Sequence, residues 1–299
     1  KMKKILYYFL IFLFCSQVVI FAETTTNSAV FLRIHSSART AAIGGTGNAI
    51  FGDVSNTEIN PANMYWITNK QLFFSHNEWF EGIRSEYFAY ALPLNNSVVI
   101  ALSGKILSID DIKRTDDSGN YLGDFGARDS VYTFSVAKKF FNRLSIGMNL
   151  KTIEQKIDNE KGNSLATDFG VLYNTTRFFT FAAGVRNIGG DLAIYEEGFP
   201  LPLTYTMGLS YYSQGKYHIA FDTEKEINCE PVFRFGMEYF VMERLDIRAG
   251  YIYTKEDYET SGISLGFGIN LQYRLFLDYA YVPFGDLGDT HRISLKYNF

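Results

Sequence analysis

From Gln71 onward, apolar and polar residues alternate in runs of about ten. In the last run His291, Ile293, Leu295, Tyr297 and Phe299 fall on one face, with Arg292, Ser294, Lys296 and Asn298 on the other. Leu275, Leu277, Tyr279 and Tyr281 alternate with Arg274, Phe276, Asp278 and Ala280 in the run before it. The same pattern sets Phe233, Phe235, Met237 and Tyr239 against Arg234, Gly236, Glu238 and Phe240. Successive side chains of a strand point to opposite faces, so each run reads as a strand with one apolar and one polar side. About fourteen such strands are predicted near 71–78, 83–92, 97–107, 129–139, 143–155, 165–174, 178–186, 203–211, 216–224, 231–240, 244–253, 261–271, 273–281 and 290–299. Their lengths approach the roughly 9–11 residues that a tilted membrane strand needs. An even number suits a bacterial barrel with both termini on one side.

A soluble sandwich would also alternate, and the connections separate the two folds. Pro93–Asn96, Phe140–Asn142, Thr175–Arg177, Tyr212–Gly215 and Val241–Glu243 are tight. Between them lie Ser108–Arg128, Lys156–Ser164, Asn187–Pro202, Lys225–Glu230, Thr254–Thr260 and Val282–Asp289, mostly longer and richer in Asp, Glu, Gly and Asn. Short turns on one side and long loops on the other are the outer-membrane topology, the short side facing the periplasm. Aromatics gather at strand ends, as in Phe140-Phe141, Phe178-Phe179, Tyr211-Tyr212 and Tyr297 with Phe299. Rings with a polar tip favour the headgroup level. The expected fold is therefore all-β, a transmembrane antiparallel up-and-down β-barrel over 69–299.

Lys1, Lys3 and Lys4 precede an apolar run from Ile5 to Phe21 and then Ala22, the layout of a secretory signal peptide over 1–22. An uncleaved anchor is the alternative, although Cys15, Ser16 and Gln17 interrupt the run. Cys229 is then the one cysteine left, so no internal disulfide is expected. The net charge of −4 and the lack of long basic runs exclude a nucleic-acid partner. Outer-membrane lipid is the expected surrounding instead. Residues 23–68 precede the first good strand and are rich in small side chains, from Ser36 to Ala49. A barrel of this size needs a plug or passes a solute, and this segment is the candidate hatch inside the lumen.

The polar faces carry Arg234, Glu238, Asp246, Arg248, Arg274, Asp278 and Arg292 on successive strands. Intramembrane charges face the interior and pair. They read either as a polar conduit or, preferably, as an ion-pair network that bolts wall to plug. Catalysis is not expected, and neither is a cofactor. The histidines 35, 76, 218 and 291 are isolated from metal-ligand spacings. Gly44-Gly45-Thr46-Gly47 lacks the third glycine and the βαβ setting of a nucleotide loop.

The stretch from Ser37 to Gly47, then Asp53-Val54-Ser55 and Asn60-Pro61-Ala62, resembles the amino-terminal segment of the PorV/PorQ family, within the wider FadL-like group of outer-membrane barrels. The ending from Asp278 to Leu295 is similar to that family's last hairpin, and Val185–Gly190 to its middle. The resemblance implies a fourteen-stranded barrel with an internal hatch, Asn60, Pro61 and Ala62 matching the hatch motif. It implies a role in type IX protein secretion or surface attachment, with secreted cargo proteins or other secretion components as partners. FadL-like members instead pass hydrophobic small molecules such as long-chain fatty acids. Ile59 stands where the family often has Trp, and Asn63 where Gly is common. The second function predicts an apolar pocket beneath the loops Ser108–Arg128 and Asn187–Pro202.

Overall fold

The computed structural model describes residues 27–299 apart from 142, 196, 214, 256–261, 273 and 286–287. The stretch read as a signal peptide, 1–22, lies outside the described residues. In chain order the strands are β1 (Gln71–Glu78), β2 (Arg84–Asn95), β3 (Val98–Thr115), β4 (Tyr121–Phe140), β5 (Leu144–Ile157), β6 (Glu160–Asn174), β7 (Phe179–Gly189), β8 (Leu192–Ile194), β9 (Glu197–Phe199) and β10 (Thr204–Ser213). They continue as β11 (Tyr217–Glu226), β12 (Val232–Met242), β13 (Leu245–Tyr253), β14 (Gly262–Asn270), β15 (Leu275–Pro283) and β16 (Asp289–Asn298). All except β8 and β9 close into one antiparallel barrel of fourteen strands. The seam joins β1 to β16 from Gln71 opposite Asn298 to Glu78 opposite His291. Closure leaves no edge in the hydrocarbon, where an unpaired backbone group has no water to bind.

The period of two holds around the wall. Phe235, Ile293 and Leu295 are exposed on the outside, while Arg234, Asp278, Arg292 and Ser294 are buried inside. Strand ends on the short-turn side agree with the sequence to within a few residues. On the opposite side they do not, because 108–128 and 156–164 are mostly strand rather than loop. β3 and β4 stay paired as far as Thr115 opposite Tyr121, and β5 meets β6 at Ile157 opposite Glu160. Beyond the bilayer neither face needs to be apolar, so alternation fades at Asp110-Asp111 while the backbone ladder continues through a bulge. Aromatic pairs mark the short-turn rim, with Phe179 against Tyr211 at 4.9 Å and Tyr297 against Phe299 at 4.9 Å.

The N-terminal segment, 27–68, sits inside the barrel. It contains one short helix, α1 (Ala38–Ala42), and 3₁₀ turns over Val30–Arg33, Val54–Glu58 and Pro61–Trp66. Val54, Met64 and Ile67 bury against Phe73, Ala89 and Ala101 of the wall. Ala38, Ala41 and Ala42 bury against Ala280 and Val282. Small inward residues let the backbone of the segment approach the strands closely. A Cβ added to Gly250 would lie 1.9 Å from the Gly44 nitrogen and 2.3 Å from the Ile43 carbonyl carbon. Gly44 itself has φ 70°, a turn that leaves α1 for the wall and strains any L side chain.

Candidate functional site

Capping chemistry explains the motifs of the segment. Asn60 caps the turn over Pro61–Trp66, its Oδ1 accepting from the Ala62 N–H at 3.0 Å, and Pro61 occupies the first position, where no amide donor is needed. The Asn60 side-chain amide donates outward to the Val171 carbonyl at 3.4 Å, so the cap also touches the wall. Asp53 caps the turn over Val54–Glu58 by accepting from Ser55 N–H at 3.1 Å. Its other oxygen accepts from Lys296 on β16 at 2.5 Å. Burial alone would raise the Asp53 carboxyl, yet Lys296 and Arg39 beside it hold it well below the usual carboxylate range. Ile59 and Asn63, the two departures from the resemblance, meet at one place. Asn63 donates to the Gly47 carbonyl at 2.8 Å, and the Ile59 side chain lies 2.4 Å from where a Gly47 Cβ would stand.

The inward charges divide into separate groups. Glu238 accepts from Arg39 of α1 at 2.6 Å and from Arg248 at 2.6 Å. Arg248 donates in turn to Asp278 at 2.6 Å, with Asp246 at 3.4 Å. Arg234 joins a second group, sharing Glu224 with Arg186 at 3.4 and 3.1 Å. Arg292 donates to the His35 carbonyl at 2.7 Å. Arg274 belongs to neither group. It is exposed just before β15, which begins only at Leu275, so the expectation that it faces the lumen is corrected. The run of alternation continues through a tight turn, and pattern alone cannot mark where the strand stops.

Sequence reasoning missed Arg39, Glu224, Asp222 and the pair Lys105–Glu58 at 2.7 Å. Asp222 accepts from the Gly47 and Asn48 N–H groups at 2.7 and 2.8 Å, clamping the glycine-rich stretch from β11. Two acidic residues on the inward, polar face of one strand (Asp222, Glu224) were the available signal. Gly44–Gly47 is thus a backbone contact surface for the wall. Among the described residues no three metal-ligating side chains come together.

A cavity of about 440 Å³ opens on the long-connection side of the segment. Phe31, Trp79, Phe80, Val282 and Phe284 supply apolar walls, with His35, Arg234 and Arg292 at its polar margin. Trp79 packs on Phe284 at 4.9 Å and under the Arg292 guanidinium at 5.1 Å. The cavity lies below the β1–β2 and β15–β16 connections and reaches Leu107 and Asp129 at the foot of 108–128, but not 187–202. The first of those stretches stands up as a hairpin. Leu192 and Leu201 of the second fold down onto Phe31 and close that side. Within the cavity, the His35 Nε2 and Trp79 Nε1 atoms have no hydrogen-bond partner among the described residues.

Burial, with Arg234 next in weight, pushes His35 well below its ordinary value of 6.5; Arg186 and Lys105 act the same way and Glu224 opposes them. The released segment therefore binds a proton below about pH 6.5 that the seated one refuses. Seating is fully present above that pH and weakens by up to about 1.4 kcal/mol per unit as pH falls below it. Amide protection over 38–66, taken relative to the intrinsic exchange rate at each pH, is expected to fall from pH 7 to pH 5, and His35→Gln to flatten that fall. An unchanged slope in the variant would assign the effect elsewhere.

No family model and no curated protein sequence matches this chain. Solved structures do. The CymD monoaromatic hydrocarbon channel aligns at 13% identity and TM-score 0.69, covering 92% of this chain and 99% of its own. The toluene transporter TbuX of Ralstonia pickettii aligns at 14% and 0.65, covering 88% and 98%. A Pseudomonas aeruginosa FadL homologue aligns at 13% and 0.64, covering 93% and 99%. At such identities the likeness shows the barrel fold alone.

Proposed function

We propose that the barrel passes hydrophobic small molecules across the outer membrane without catalysis, with the N-terminal segment acting as its hatch. One observation carries this reading: an apolar cavity sits on the outer side of the hatch, in a lumen otherwise packed with side chains. Its unsatisfied His35 and Trp79 nitrogens and the nearby Arg234 and Arg292 suit a ligand with one acceptor end, and a long-chain fatty acid meets that description. The solved barrels of like fold include channels named for monoaromatic hydrocarbons and a toluene transporter, which supports a small apolar solute.

Trp79 gives a direct test, because the chain has only two tryptophans and Trp66 lies beyond the cavity lining. Titrating the purified protein with oleate is expected to change its fluorescence saturably. Trp66→Phe should keep the change and Trp79→Phe abolish it. Val30→Phe, which fills the cavity from an exposed position, should weaken binding at least tenfold. A wild-type protein indifferent to oleate and to toluene would remove this function.

Assistance in type IX protein secretion or surface attachment is the second reading. It rests on the resemblance at 37–62 and 278–295. It gains one structural support in the β3–β4 hairpin, which exposes Tyr121 and Leu122 at its tip, where a protein partner could be met. Cargo captured by cross-linking at Leu122 in intact envelopes would favour it over solute transport.

A further inference from the structure

The outer wall from β16 round to β7 carries a groove of about 1110 Å³. Phe74, Phe88, Leu102, Tyr132, Leu150 and Leu165 line it, all pointing away from the lumen. A single bound small molecule needs roughly 300–1,000 Å³, so this concavity has room for more than one slender chain. Its depth has a cause in the register. The cross-strand row Phe74, Phe88, Gly104, Tyr132, Thr152, Leu165 has no side chain at Gly104, where a cylinder facing lipid would bulge.

Four residues further along the same strands, towards the long-connection side, lies a cationic row. Arg84 stands opposite Ser108, Ser108 opposite Arg128, Arg128 opposite Lys156 and Lys156 opposite Lys161. All four cations are exposed. Arg84 is held by Asp110 at 2.9 Å, and Lys161 has Glu154 at 3.8 Å. Arg128 and Lys156 have no ion-pair partner among the described residues. Like charges directly opposite on a sheet repel, so three in succession call for an anion from outside. The nearby acids are engaged, Glu86 with His76 at 2.6 Å and Glu154 with Lys161.

The height of the row identifies the anion. Phe140, Leu144 and Tyr173 are mutual cross-strand partners at the periplasmic rim, and Arg128, Lys156 and Lys161 each lie twelve residues from them. A strand crosses the hydrocarbon in about 9–11 residues. These cations therefore stand at the outer headgroup level, directly above the apolar groove. We propose that this face of the wall is a binding site for a phosphate-bearing lipid with several acyl chains in the outer leaflet. Its chains lie in the groove, and its phosphates bridge Arg128, Lys156 and Lys161. The site is on the opposite side of the wall from the cavity and depends only on the barrel's placement in the membrane.

Native mass spectrometry of the full chain in detergent tests this, with bis-phosphorylated hexa-acyl lipid A, phosphatidylethanolamine and inorganic phosphate as probes. Lipid A is expected to bind at least tenfold tighter than phosphatidylethanolamine and to survive excess inorganic phosphate. The exposed double variant R128E/K156E should lose at least tenfold, and L102A/L165A severalfold, with both still migrating as folded barrels in unheated gels. Should the charge reversal fail to fold, R128Q/K156Q should lose severalfold. Equal binding of the two lipids, or unchanged lipid A affinity in the head-group variants, overturns the proposal. Complete displacement by inorganic phosphate does so too, since it would mark a free-anion site.

Discussion

Replacing Glu238 with alanine is expected to unseat the N-terminal segment while the barrel stays closed. Glu238 lies between Arg39 of α1 and Arg248 of β13 and is itself almost fully buried. Without it Arg248 keeps Asp278 while Arg39, partly exposed, keeps only Asp53 at 3.4 Å, so the loss falls in the lower half of the roughly 3–5 kcal/mol that breaking a buried pair from one side costs. By the tenfold-per-1.4 kcal/mol relation, amide exchange over α1 and the turns at 54–66 should accelerate by roughly 10²–10³. Exchange in β12 and β13 should change little, because their ladder is independent of the ion pair. Glu238→Gln keeps acceptors for both arginines and should fall between. Unaltered exchange over 38–66 in the alanine variant would show that hydrophobic contacts alone hold the segment.

A second substitution reaches the same element through sterics. Gly250→Val places a branched side chain where the Gly44 nitrogen and Ile43 carbonyl carbon stand, at 1.9 and 2.3 Å from the new Cβ. These are backbone atoms, so no rotamer change relieves the clash. The 43–47 turn must lift away, and with it the clamp from Asp222 onto Gly47 and Asn48. The wild-type barrel should show no steady ion conductance in a planar bilayer, whereas Gly250→Val should open a lasting water-filled path. A closed variant would mean that other contacts re-pack the lumen.

The wall was legible because its physics is local. Any strand with lipid on one side and a polar interior on the other writes a period of two, and β16 shows it from His291 to Asn298. That signal stops where the two environments stop, which is why the tall hairpin of β3 and β4 read as loop. The N-terminal segment obeys a different logic. Its capped 3₁₀ turns have no period, so Asp53 and Asn60 stood out only by residue type and resemblance. Its partners were hidden for a further reason. Arg39 and Glu238 meet across 199 positions, and only the closed register of the barrel brings them together. The cavity was only half placed for the same cause, since Trp79 and Phe284 approach through the β1–β16 seam.

Everything rests on which face of the wall meets lipid, and a nitroxide scan along β16 tests this most directly. In a Cys15→Ser/Cys229→Ser background reconstituted into vesicles, single cysteines from 290 to 297 would carry the label in turn. Collision with oxygen should peak at 291, 293, 295 and 297 and fall at 290, 292, 294 and 296, with a water-soluble nickel complex excluded from 293 and 295. Oxygen and nickel profiles that rise and fall together, or flat profiles without a period of two, would contradict a barrel whose apolar face looks outward into the bilayer.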